Sequence, residues 1–419
     1  MKIMHKLKIA VLVSFLSLLS ACNTNINSED NSGQMDIIKY GENYRKELEK
    51  PNQENIFGMD YLSYEWYEHG IDYVKGYKTL ANMGVKSIRN WMHFGYFFEN
   101  PDKLIKEKCD LMHDMLRVAS EYNFQIIGMN HVNWSIKYQR FCIGKEKYQT
   151  FEGSSYQEWL DVYEKCWYTL VKEFNEITYW EIDNELNNKD FMFIEGSKEF
   201  LTSKESAKIS ADMLFRASRA IHKANKNAIT ILGGIVDPYG LGIMDAQSKI
   251  TMIGYLEDLY DEIESGEHGS FHPDDFFQVA AWHPYYYYKA PDDYFYEENN
   301  KIYEVIKRRE GKDKKVFLTE IGWSEKNISA DKISECITKL YSNVKEKMPY
   351  VESIHYYRYF DNSIQGDGDF AGMFYDAADN HVDRINGVIR KQGQAKPYAY
   401  VYQQLAKGTG SLKLFEKDE

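Results

Sequence analysis

Short apolar runs rich in β-branched and aromatic residues alternate with longer amphipathic stretches along most of the chain. Eight of these runs have the length and composition of buried strands. They are IFGMD (56–60), VKSIRNW (85–91), QIIGMNH (125–131), ITYWEIDN (177–184), ITILGGIV (229–236), FQVAAWHP (277–284), KVFLTEIG (315–322) and SIHYYRYF (353–360). The stretches between them, such as 108–123 and 203–225, space their apolar residues as amphipathic helices do. Eight strands that alternate with helices predict an α/β fold, the (β/α)₈ TIM barrel.

The barrel is expected to fill one domain, residues 51–419. No linker rich in proline, glycine or serine interrupts it, and the last amphipathic stretch, KPYAYVYQQLAKG (396–408), lies near the end of the chain. The segments 134–156 and 236–276 are predicted to be long loops that shape a cleft. A doubly wound sheet is the alternative, but no glycine-rich phosphate-binding loop follows the first strand.

The first residues have the pattern of a targeting segment. A basic start, MKIMHKLK, precedes the apolar run IAVLVSFLSLL, which is short for a bilayer span. The LLSAC that follows resembles the lipobox of bacterial lipoproteins, which implies a signal peptide over 1–21 and lipid attachment at Cys22. Residues 22–50 would then be the acylated cysteine and a flexible polar tether. We therefore expect a lipid anchor in the bacterial cell envelope, on the outer membrane, facing the periplasm or the exterior. An ordinary signal peptide with a chance cysteine is the alternative.

The net charge of −13 argues against nucleic acid as a partner, because phosphate backbones require basic surfaces. Aromatic residues make up 15% of the chain, and their faces can serve as platforms for sugar rings. The cysteines beyond Cys22 show no metal-ligand spacing. They are Cys109, Cys142, Cys166 and Cys336. Disulfides and buried free thiols both remain open for them.

Polar and aromatic residues stand at the C-terminal ends of six predicted strands. In a (β/α)₈ barrel these ends meet at one mouth, where the chemistry takes place. The residues are Arg89, Asn90 and Trp91; Asn130 and His131, with Asn133 and Trp134 just beyond; Asn184 and Glu185; Trp282, His283 and Tyr285; Thr319, Glu320 and Trp323; and Tyr356, Tyr357 and Arg358. Their convergence predicts a polar pocket lined with aromatic rings.

Two carboxylates in this set, Glu185 and Glu320, end the fourth and seventh strands. If those strands face each other across the barrel, the pair suits glycoside hydrolysis. One carboxylic acid protonates the leaving oxygen, and the other carboxylate attacks the sugar or activates water. A separation of roughly 5 Å favours retention of configuration and one of roughly 6.5–9.5 Å favours inversion. Taken singly, Glu185 could instead be a helix N-terminal acid, and Glu320 an ion-pair partner.

The segments WEIDNE (180–185) and FLTEIGWS (317–324) resemble the acid/base and nucleophile strands of clan A glycoside hydrolases, and the layout is similar to families 39 and 5. The resemblance covers the barrel in strand order, and the strand ends match most sharply. It implies a retaining mechanism with Glu185 as acid/base and Glu320 as nucleophile. The enzyme would act without a cofactor on β-linked oligosaccharides or polysaccharides. Asn184 would hydrogen-bond the 2-hydroxyl of the sugar.

The resemblance also implies substrate-binding roles for residues around this pair. Arg89 would keep Glu320 ionised, since a nearby cation favours the charged carboxylate. The remaining candidates are His131, Asn133, Trp134, His283, Tyr285, Trp323 and Tyr356. Two positions depart from the pattern: Leu186 stands where many members have proline, and the frequent tryptophan of strand eight is absent. Trp323 or Trp282 would then serve as the sugar platform.

Other acids near these strand ends receive supporting roles. Glu181 is expected to support the site, and Glu325 to be a solvated loop acid. The segment DNSIQGDGDFAG (361–372) lacks the ordered spacing of an EF-hand calcium loop. It is therefore predicted to be a loop beside the site, with a polar sugar contact from Asp361 or Asn362.

Two functions of other classes remain open. The first is a carbohydrate-binding lipoprotein on a decayed barrel, which would capture glycans without cutting them. Such a binder has no need of an intact carboxylate pair. The second is a barrel enzyme of different chemistry, a lyase or a metal-dependent hydrolase, although the sequence has no HxH or HExxH motif. The chain is expected to act as a monomer on a carbohydrate substrate.

Overall fold

The computed structural model describes residues 54, 56–61, 72–131, 134–135, 140–141, 149–150, 156–188, 191–193, 201–237, 251–361, 370–375, 382–383, 388–389 and 393–413. Within these residues the predicted (β/α)₈ barrel is confirmed. Its strands are β1 (Phe57–Tyr61), β2 (Ser87–Trp91), β3 (Gln125–Asn130), β4 (Tyr179–Ile182), β5 (Ile229–Leu232), β6 (Ala280–His283), β7 (Val316–Ile321) and β8 (Val351–Tyr356). Each strand overlaps the apolar run that predicted it.

The strands close into a barrel of parallel pairs. β1 pairs with both β2 and β8, and the order runs from β2 through β3 and β4 to β5, and from β8 through β7 to β6. A short strand, Ile235–Val236, continues β5 after two glycines and pairs with β6. A bridge between Ile231 and Val279 joins the same two sides. This pairing removes the open edge of the sheet, so the C-terminal ends of all strands meet at one mouth.

One long helix follows each strand. The helices are α1 (Tyr73–Met83), α2 (Lys106–Glu121), α3 (Tyr156–Glu173), α4 (Ser203–Ala224), α5 (Met252–Ser265), α6 (Asp293–Glu310), α7 (Ala330–Lys347) and α8 (Pro397–Leu405). Local sequence sets several of their ends: Asp72 caps the first turn of α1, and Gly84 ends that helix with a φ of 85°. Thr202 and Glu205 form a capping box at the start of α4.

Smaller elements connect the barrel units. They are a one-turn helix (Phe94–Phe97), a 3₁₀ turn (Pro273–Asp275) and the short strands Phe98–Asn100, Lys103–Leu104, Trp134–Ser135, Arg140–Phe141, Gln149–Thr150, Met192–Phe193, Val382–Asp383 and Val388–Ile389. The prediction that 236–276 is a single long loop is wrong, because this segment contains α5. The buried residues Tyr255, Leu256 and Leu259 of α5 recur at helical spacing, which is a signal for a helix.

The interior of the barrel is layered. Gly58 of β1 pairs in register with Ser87 and His355, and Asp60 pairs with Arg89 two residues further along. Because residues two apart on a strand point to the same face, the layer of Asp60 and Arg89 lies next to the layer of Ser87 and His355, on the side of the mouth. The barrel therefore changes from hydroxyl and apolar groups to charged groups as it approaches its mouth.

The predictions for the cysteines and for the start of the chain have different outcomes. Cys109, Cys166 and Cys336 are buried free thiols. Cys142 and residues 1–53, which include Cys22, lie outside the described residues. Across the described ranges, no helix is both long enough and apolar enough to cross a membrane.

Candidate active site

The candidate nucleophile Glu320 reaches the interior through an irregularity in β7. The pairing of β7 with β8 shifts register between Leu318 and Ile321. Neighbouring residues of a regular strand point to opposite faces, whereas a bulge re-aims a side chain. As a result Thr319 and Glu320, although adjacent in sequence, both contact His283.

Glu185 stands just beyond β4 in a strained backbone. Its φ is 50° and that of Asp183 is 66°, both in the left-handed region that costs a non-glycine residue free energy. The Glu185 amide donates to the carbonyl of Gly234 at 2.8 Å. A Cβ at Gly234 would lie 2.0 Å from Nε2 of His283. The strained turn and the glycine together allow Glu185 and His283 to approach each other.

Arg89 of β2 is the centre of a buried ionic cluster. Its Nη1 lies 2.6 Å from both Asp60 and Glu320, and its Nε pairs with Glu181. Its Nη2 donates to Oδ1 of Asn184 at 2.8 Å, which leaves the NH₂ group of that amide as a donor. Burial raises the pKa of Asp60 to about 7; the Arg89 charge opposes the rise and the Glu320 charge adds to it. One guanidinium thus faces more acids than it can neutralise.

Glu320 is held as a carboxylate by its neighbours. One oxygen accepts from Arg89, and the other accepts from the Tyr285 hydroxyl at 2.6 Å. Burial by itself would raise the pKa of Glu320, but the charges of His283 and Arg89 and these hydrogen bonds outweigh it, so the pKa is lowered. Glu320 is therefore ionised near neutral pH, as a carboxylate nucleophile must be.

His283 lies between the two glutamates and is fully buried. Its Nδ1 is 3.0 Å from Glu185 Oε1 and 3.7 Å from Glu320 Oε2. Burial lowers the pKa of His283, but the Glu320 charge and the contact with Glu185 outweigh burial and raise it. The second oxygen of Glu185 accepts from Asn188 Nδ2 at 2.6 Å. The protein therefore orients both oxygens of Glu185 and places an imidazole between the carboxylates.

The two carboxylates open into a cavity of about 450 Å³. This volume is in the range of small-molecule sites. The lining residues are Trp91, Asn184, Glu185, Phe191, Tyr285, Tyr287, Glu320, Gly322, Ser324, Lys326, Asn327, Tyr357 and Ala371. Among the predicted substrate-binding residues, Asn184 and Tyr285 line the cavity. Arg89 and His283 lie directly behind its two carboxylates and contact them.

No family model matches the chain, and no curated protein matches it in sequence. Solved structures do match. A family 39 glycoside hydrolase from the gut symbiont Bacteroides cellulosilyticus has a TM-score of 0.56 and 16% sequence identity, over 85% of this chain and 65% of that one. A family 5, subfamily 18 enzyme from Streptomyces cattleya, in complex with Manβ1-4GlcNAc, has a TM-score of 0.57 and 13% identity, over 84% and 80% of the two chains. The family 1 β-glucosidase from Thermotoga maritima has a TM-score of 0.55 and 12% identity, over 87% and 100%.

The fold is one that glycoside hydrolases use. Because the sequence identities are only 12–16%, the similarity to these structures is evidence for the fold alone. The chain spans 65% of the length of the family 39 enzyme, which is therefore the longer protein. The resemblance to the barrels of families 39 and 5, predicted from the strand ends, is thus confirmed at the level of fold.

Three predicted aromatic positions turn away from the cavity. Trp282 is fully buried, and its indole N–H donates into α6. Trp323 is 1% exposed, and its indole N–H donates to the backbone carbonyl of Tyr286 at 2.8 Å. Tyr356 is fully buried within β8, whereas its neighbour Tyr357 lines the cavity. Neither tryptophan lines the cavity, and the aromatic part of its lining comes from other rings.

Other aromatic rings do form walls of the cavity. Tyr287 stacks on Tyr285 with ring centroids 5.2 Å apart and an interplanar angle of 11°. Trp91 and Phe191 line the cavity as well. His131 packs edge-on against Phe191, with ring centroids 4.7 Å apart, and so supports this ring. The cavity is therefore lined by aromatic rings as well as by charged groups.

The remaining predicted contacts are placed as follows. Asn133 lies outside the described residues, and only the backbone of Trp134 is described. The prediction that Glu325 is a solvated acid is wrong, because its carboxylate lies 2.9 Å from the buried ammonium of Lys396. Asp361 is also buried and pairs with Lys396. Both loop acids therefore hold the structure together behind the cavity.

Asp60 and Asn188 contact the site although neither is among the predicted pocket residues, whereas Tyr357 is one of them and lines the cavity. Asp60 ends the first predicted strand, so the rule that found the other strand ends also points to it. Asn188 belongs to the amide-rich NELNN run that contains Glu185. Tyr357 follows the last residue of β8, where strand alternation no longer predicts the direction of a side chain.

Glu185, His283 and Glu320 also form the group of potential metal ligands found among the described residues. One atom from each lies within 4.8 Å of the others. Imidazole and carboxylate are common zinc ligands. Here, however, Arg89 and Tyr285 already contact the two oxygens of Glu320, and His283 and Asn188 contact the two oxygens of Glu185. The contacts favour acid–base and nucleophilic chemistry over metal binding.

Proposed function

We propose that the protein is a glycoside hydrolase that cleaves β-linked oligosaccharides or polysaccharides with retention of configuration. The observation that carries the proposal is the carboxylate spacing, since an oxygen of Glu185 lies within 4.8 Å of an oxygen of Glu320. Carboxyl groups of retaining glycosidases are roughly 5–5.5 Å apart, whereas inverting pairs are roughly 6.5–9.5 Å apart to admit a water molecule. The short spacing favours direct attack by one carboxylate on the sugar.

In the first step, Glu320 attacks the anomeric carbon while the bond from that carbon to the leaving oxygen breaks. Glu185 transfers its proton to the leaving oxygen, so the alcohol departs and a glycosyl ester remains on Glu320. Arg89 and Tyr285 keep the nucleophile ionised before the attack. The NH₂ group of Asn184 is oriented by Arg89 to donate to the sugar 2-hydroxyl, a contact that strengthens in the transition state.

In the second step, water replaces the departed alcohol. The carboxylate of Glu185 takes a proton from the water as its oxygen attacks the anomeric carbon. The ester bond to Glu320 breaks, and both carboxyl groups return to their initial states. His283 and Asn188 hold the two oxygens of Glu185, so the same group is positioned for proton donation and proton removal.

Support for a β-linked substrate comes from proteins with the same fold. One is named a β-glucosidase, and another was solved with Manβ1-4GlcNAc. The ring faces of Trp91 and Tyr287 on the cavity wall suit the apolar faces of sugar rings. These observations support a β-linked glycan as the class of substrate, and the substrate panel described next identifies the sugar.

The test is hydrolysis of aryl β-glycosides and of plant, algal and host polysaccharides by wild type and Glu320→Ala. We expect wild type alone to release product, and proton NMR to show that the first-formed sugar is the β-anomer. Release of the α-anomer would contradict the retaining mechanism. No release from any substrate, with equal glycan binding by both proteins, would favour the non-catalytic carbohydrate-binding protein.

We also propose that the mature protein is anchored through a lipid on Cys22. The basic start, the short apolar run and LLSAC support this proposal. In a bacterial host, wild type should incorporate labelled palmitate and sediment with membranes. Cys22→Ser should lose the label and appear in the soluble fraction. Equal labelling of both proteins would contradict the anchor.

A further inference from the structure

Lys396 is a fully buried lysine that lies outside the catalytic cluster. It is the N-cap residue of α8, and its side chain extends toward the mouth of the barrel. Its Nζ lies 2.9 Å from a Glu325 oxygen, 2.8 Å from an Asp361 oxygen and 3.2 Å from the Phe370 carbonyl. One ammonium group therefore binds acceptors from two segments that are distant in sequence.

These acceptors belong to the loops that follow β7 and β8. The two loops also contact each other, because the Glu325 amide donates to the Phe370 carbonyl at 3.2 Å. Asp361 accepts from the Gly372 amide at 2.9 Å, and so ties the beginning of the second loop to a later part of it. Lys396 sits where these bonds converge and joins the loops into one unit.

The same loops build a wall of the cavity. Ser324 and Lys326, on either side of Glu325, line the cavity, and Asn327 follows them. Ala371, between Phe370 and Gly372, lines it from the other loop. Lys396 itself lies behind this wall and does not line the cavity. Any substrate that extends past the two carboxylates on this side meets residues adjacent in sequence to the groups that Lys396 contacts.

Stability alone does not account for a lysine here. Burying an ammonium with carboxylates carries a large desolvation cost, and replacing all members of such a charged group together by apolar residues of similar size is often neutral or stabilising. Charge pairs in a low-dielectric site do, however, specify one geometry for the groups they join. The arrangement is suited to fixing Glu325, Asp361 and Phe370 relative to one another.

We propose that Lys396 is a positioning residue that fixes this wall, and that the wall binds the part of a glycan beyond the sugar at the catalytic pair. The inference rests on the proposed function for its substrate class. It predicts that loss of Lys396 weakens binding of extended substrates and leaves bond cleavage intact.

The experiment compares Lys396→Met with Lys314→Met. Lys314 is also buried and pairs with two acids, Glu310 at 2.7 Å and Asp274 at 3.0 Å, but it precedes β7 at the opposite end of the barrel. Each variant is made in wild type and in Glu320→Ala. The probes are the p-nitrophenyl β-glycoside that the panel identifies and the tetrasaccharide of the same sugar, cellotetraose for glucose or mannotetraose for mannose.

We expect Lys396→Met to raise KM for the tetrasaccharide by about 10- to 100-fold, because small displacements of positioning groups have effects of this size. Its kcat for the p-nitrophenyl glycoside should stay within about two-fold of wild type, since the catalytic pair is untouched. In the Glu320→Ala background the tetrasaccharide Kd should rise by the same factor as KM. Lys314→Met should lower the thermal midpoint and leave KM and Kd unchanged.

If Lys396→Met does not fold, a triple variant with Glu325→Gln and Asp361→Asn removes the unpaired acids and tests the same prediction. An unchanged KM and Kd in the folded variant would overturn the proposal, as would an equal rise in Lys314→Met. Because Kd is measured without turnover, it tests the role of Lys396 independently of the proposed glycosidase activity. A protein that cleaves no substrate but loses tetrasaccharide affinity with Lys396→Met would support the wall and contradict the glycosidase.

Discussion

Two buried histidines of the barrel, His283 near the mouth and His355 deeper inside, behave in opposite ways. Both are fully buried. Each has its Nε2 3.0 Å from a hydroxyl oxygen, that of Thr319 for His283 and that of Ser87 for His355. Nevertheless the pKa of His283 is raised, whereas the pKa of His355 is lowered to about 3. Burial is the same for both, so the difference comes from the charges nearby.

The surroundings explain the two directions. Burial lowers the pKa of both imidazoles, and for His355 the positive charge of Arg89 lowers it further. His283 instead faces Glu320 and Glu185, which outweigh burial. The barrel thus concentrates its carboxylates in the layer at the mouth and leaves hydroxyl groups in the layer beneath. A buried polar side chain can belong either to a functional site or to the structural interior. An excess of carboxylates beside a cavity favours the functional site.

Glu320→Ala should have the largest effect, and it tests whether the layer at the mouth is the catalytic one. If the mouth is the catalytic layer, this change removes the nucleophile, and kcat should fall by roughly 10⁴-fold or more. The thermal midpoint should change little, because the variant also removes a buried charge from a crowded acidic cluster. Steady-state kinetics and thermal unfolding of the two proteins check this prediction. Retention of even a tenth of the wild-type kcat would assign the nucleophile elsewhere.

Glu185→Gln should have the next largest effect, and the effect should depend on the leaving group. Loss of a general acid costs about 10²- to 10⁴-fold when the departing oxygen needs a proton. An activated aryl leaving group does not need that proton, so its first step should be almost unaffected. Kinetics on a matched pair of aryl and alkyl glycosides measure the difference. Added azide should rescue the second step and yield a glycosyl azide of retained configuration. An equal loss for both leaving groups would argue against the acid role.

The two histidines should also give stability opposite dependences on pH. His355 stays neutral when folded, so between about pH 6.5 and about pH 3 the unfolded chain binds a proton that the folded chain does not. Stability should fall with decreasing pH across this window by about 1.4 kcal/mol per unit. His283 has a raised folded pKa, so its contribution is present below about pH 6.5 and is lost as the pH rises through that pKa.

Urea unfolding of wild type, His355→Gln and His283→Gln at several pH values checks these slopes. His355→Gln should lose less stability than wild type on acidification. His283→Gln should lose less stability than wild type on the alkaline side, and it alone should lose activity. The same pH profile for both variants would show that the two layers do not differ as described.

Tyr285→Phe should have a smaller effect on activity than the two glutamate variants. It removes one hydrogen bond to Glu320 and leaves the Arg89 contact in place. A hydrogen bond to a charged group contributes about 1.5–3 kcal/mol, so kcat should fall about 10- to 100-fold. Tyr287→Phe, which removes the hydroxyl of the ring that stacks on Tyr285, is the matched control. A larger loss of kcat in Tyr287→Phe than in Tyr285→Phe would indicate that Tyr285 acts on the sugar and not on Glu320.

The sequence predicts the barrel and the two carboxylates because both depend on local patterns. Apolar runs of strand length reveal the eight strands, and parallel topology brings their ends together. Glu185 and Glu320 are therefore found from their positions at the ends of two strands. The helix α5 lies in a segment predicted to be a loop, although its buried residues follow helical spacing.

Other features depend on contacts that no local pattern encodes. The bulge in β7 turns Thr319 and Glu320 to the same side, contrary to simple alternation. Trp323 stands two residues after the end of β7, yet its indole N–H donates to the backbone carbonyl of Tyr286 and it does not line the cavity. Lys396 contacts two acids that are distant from it in sequence. Long-range packing decides each of these cases, and a single sequence contains no periodic signal for it.

The most direct test of the central claim is covalent labelling of the nucleophile. The protein would be incubated with fluorinated β-glycosyl fluorides of gluco, manno, galacto and xylo configuration, which slow release of the glycosyl ester, and then mapped by peptide mass spectrometry. We expect a mass increase of one fluorosugar on the peptide that contains Glu320, and none in Glu320→Ala. A label on another residue, or hydrolysis of natural substrate without any covalent adduct, would contradict the retaining mechanism assigned to Glu320.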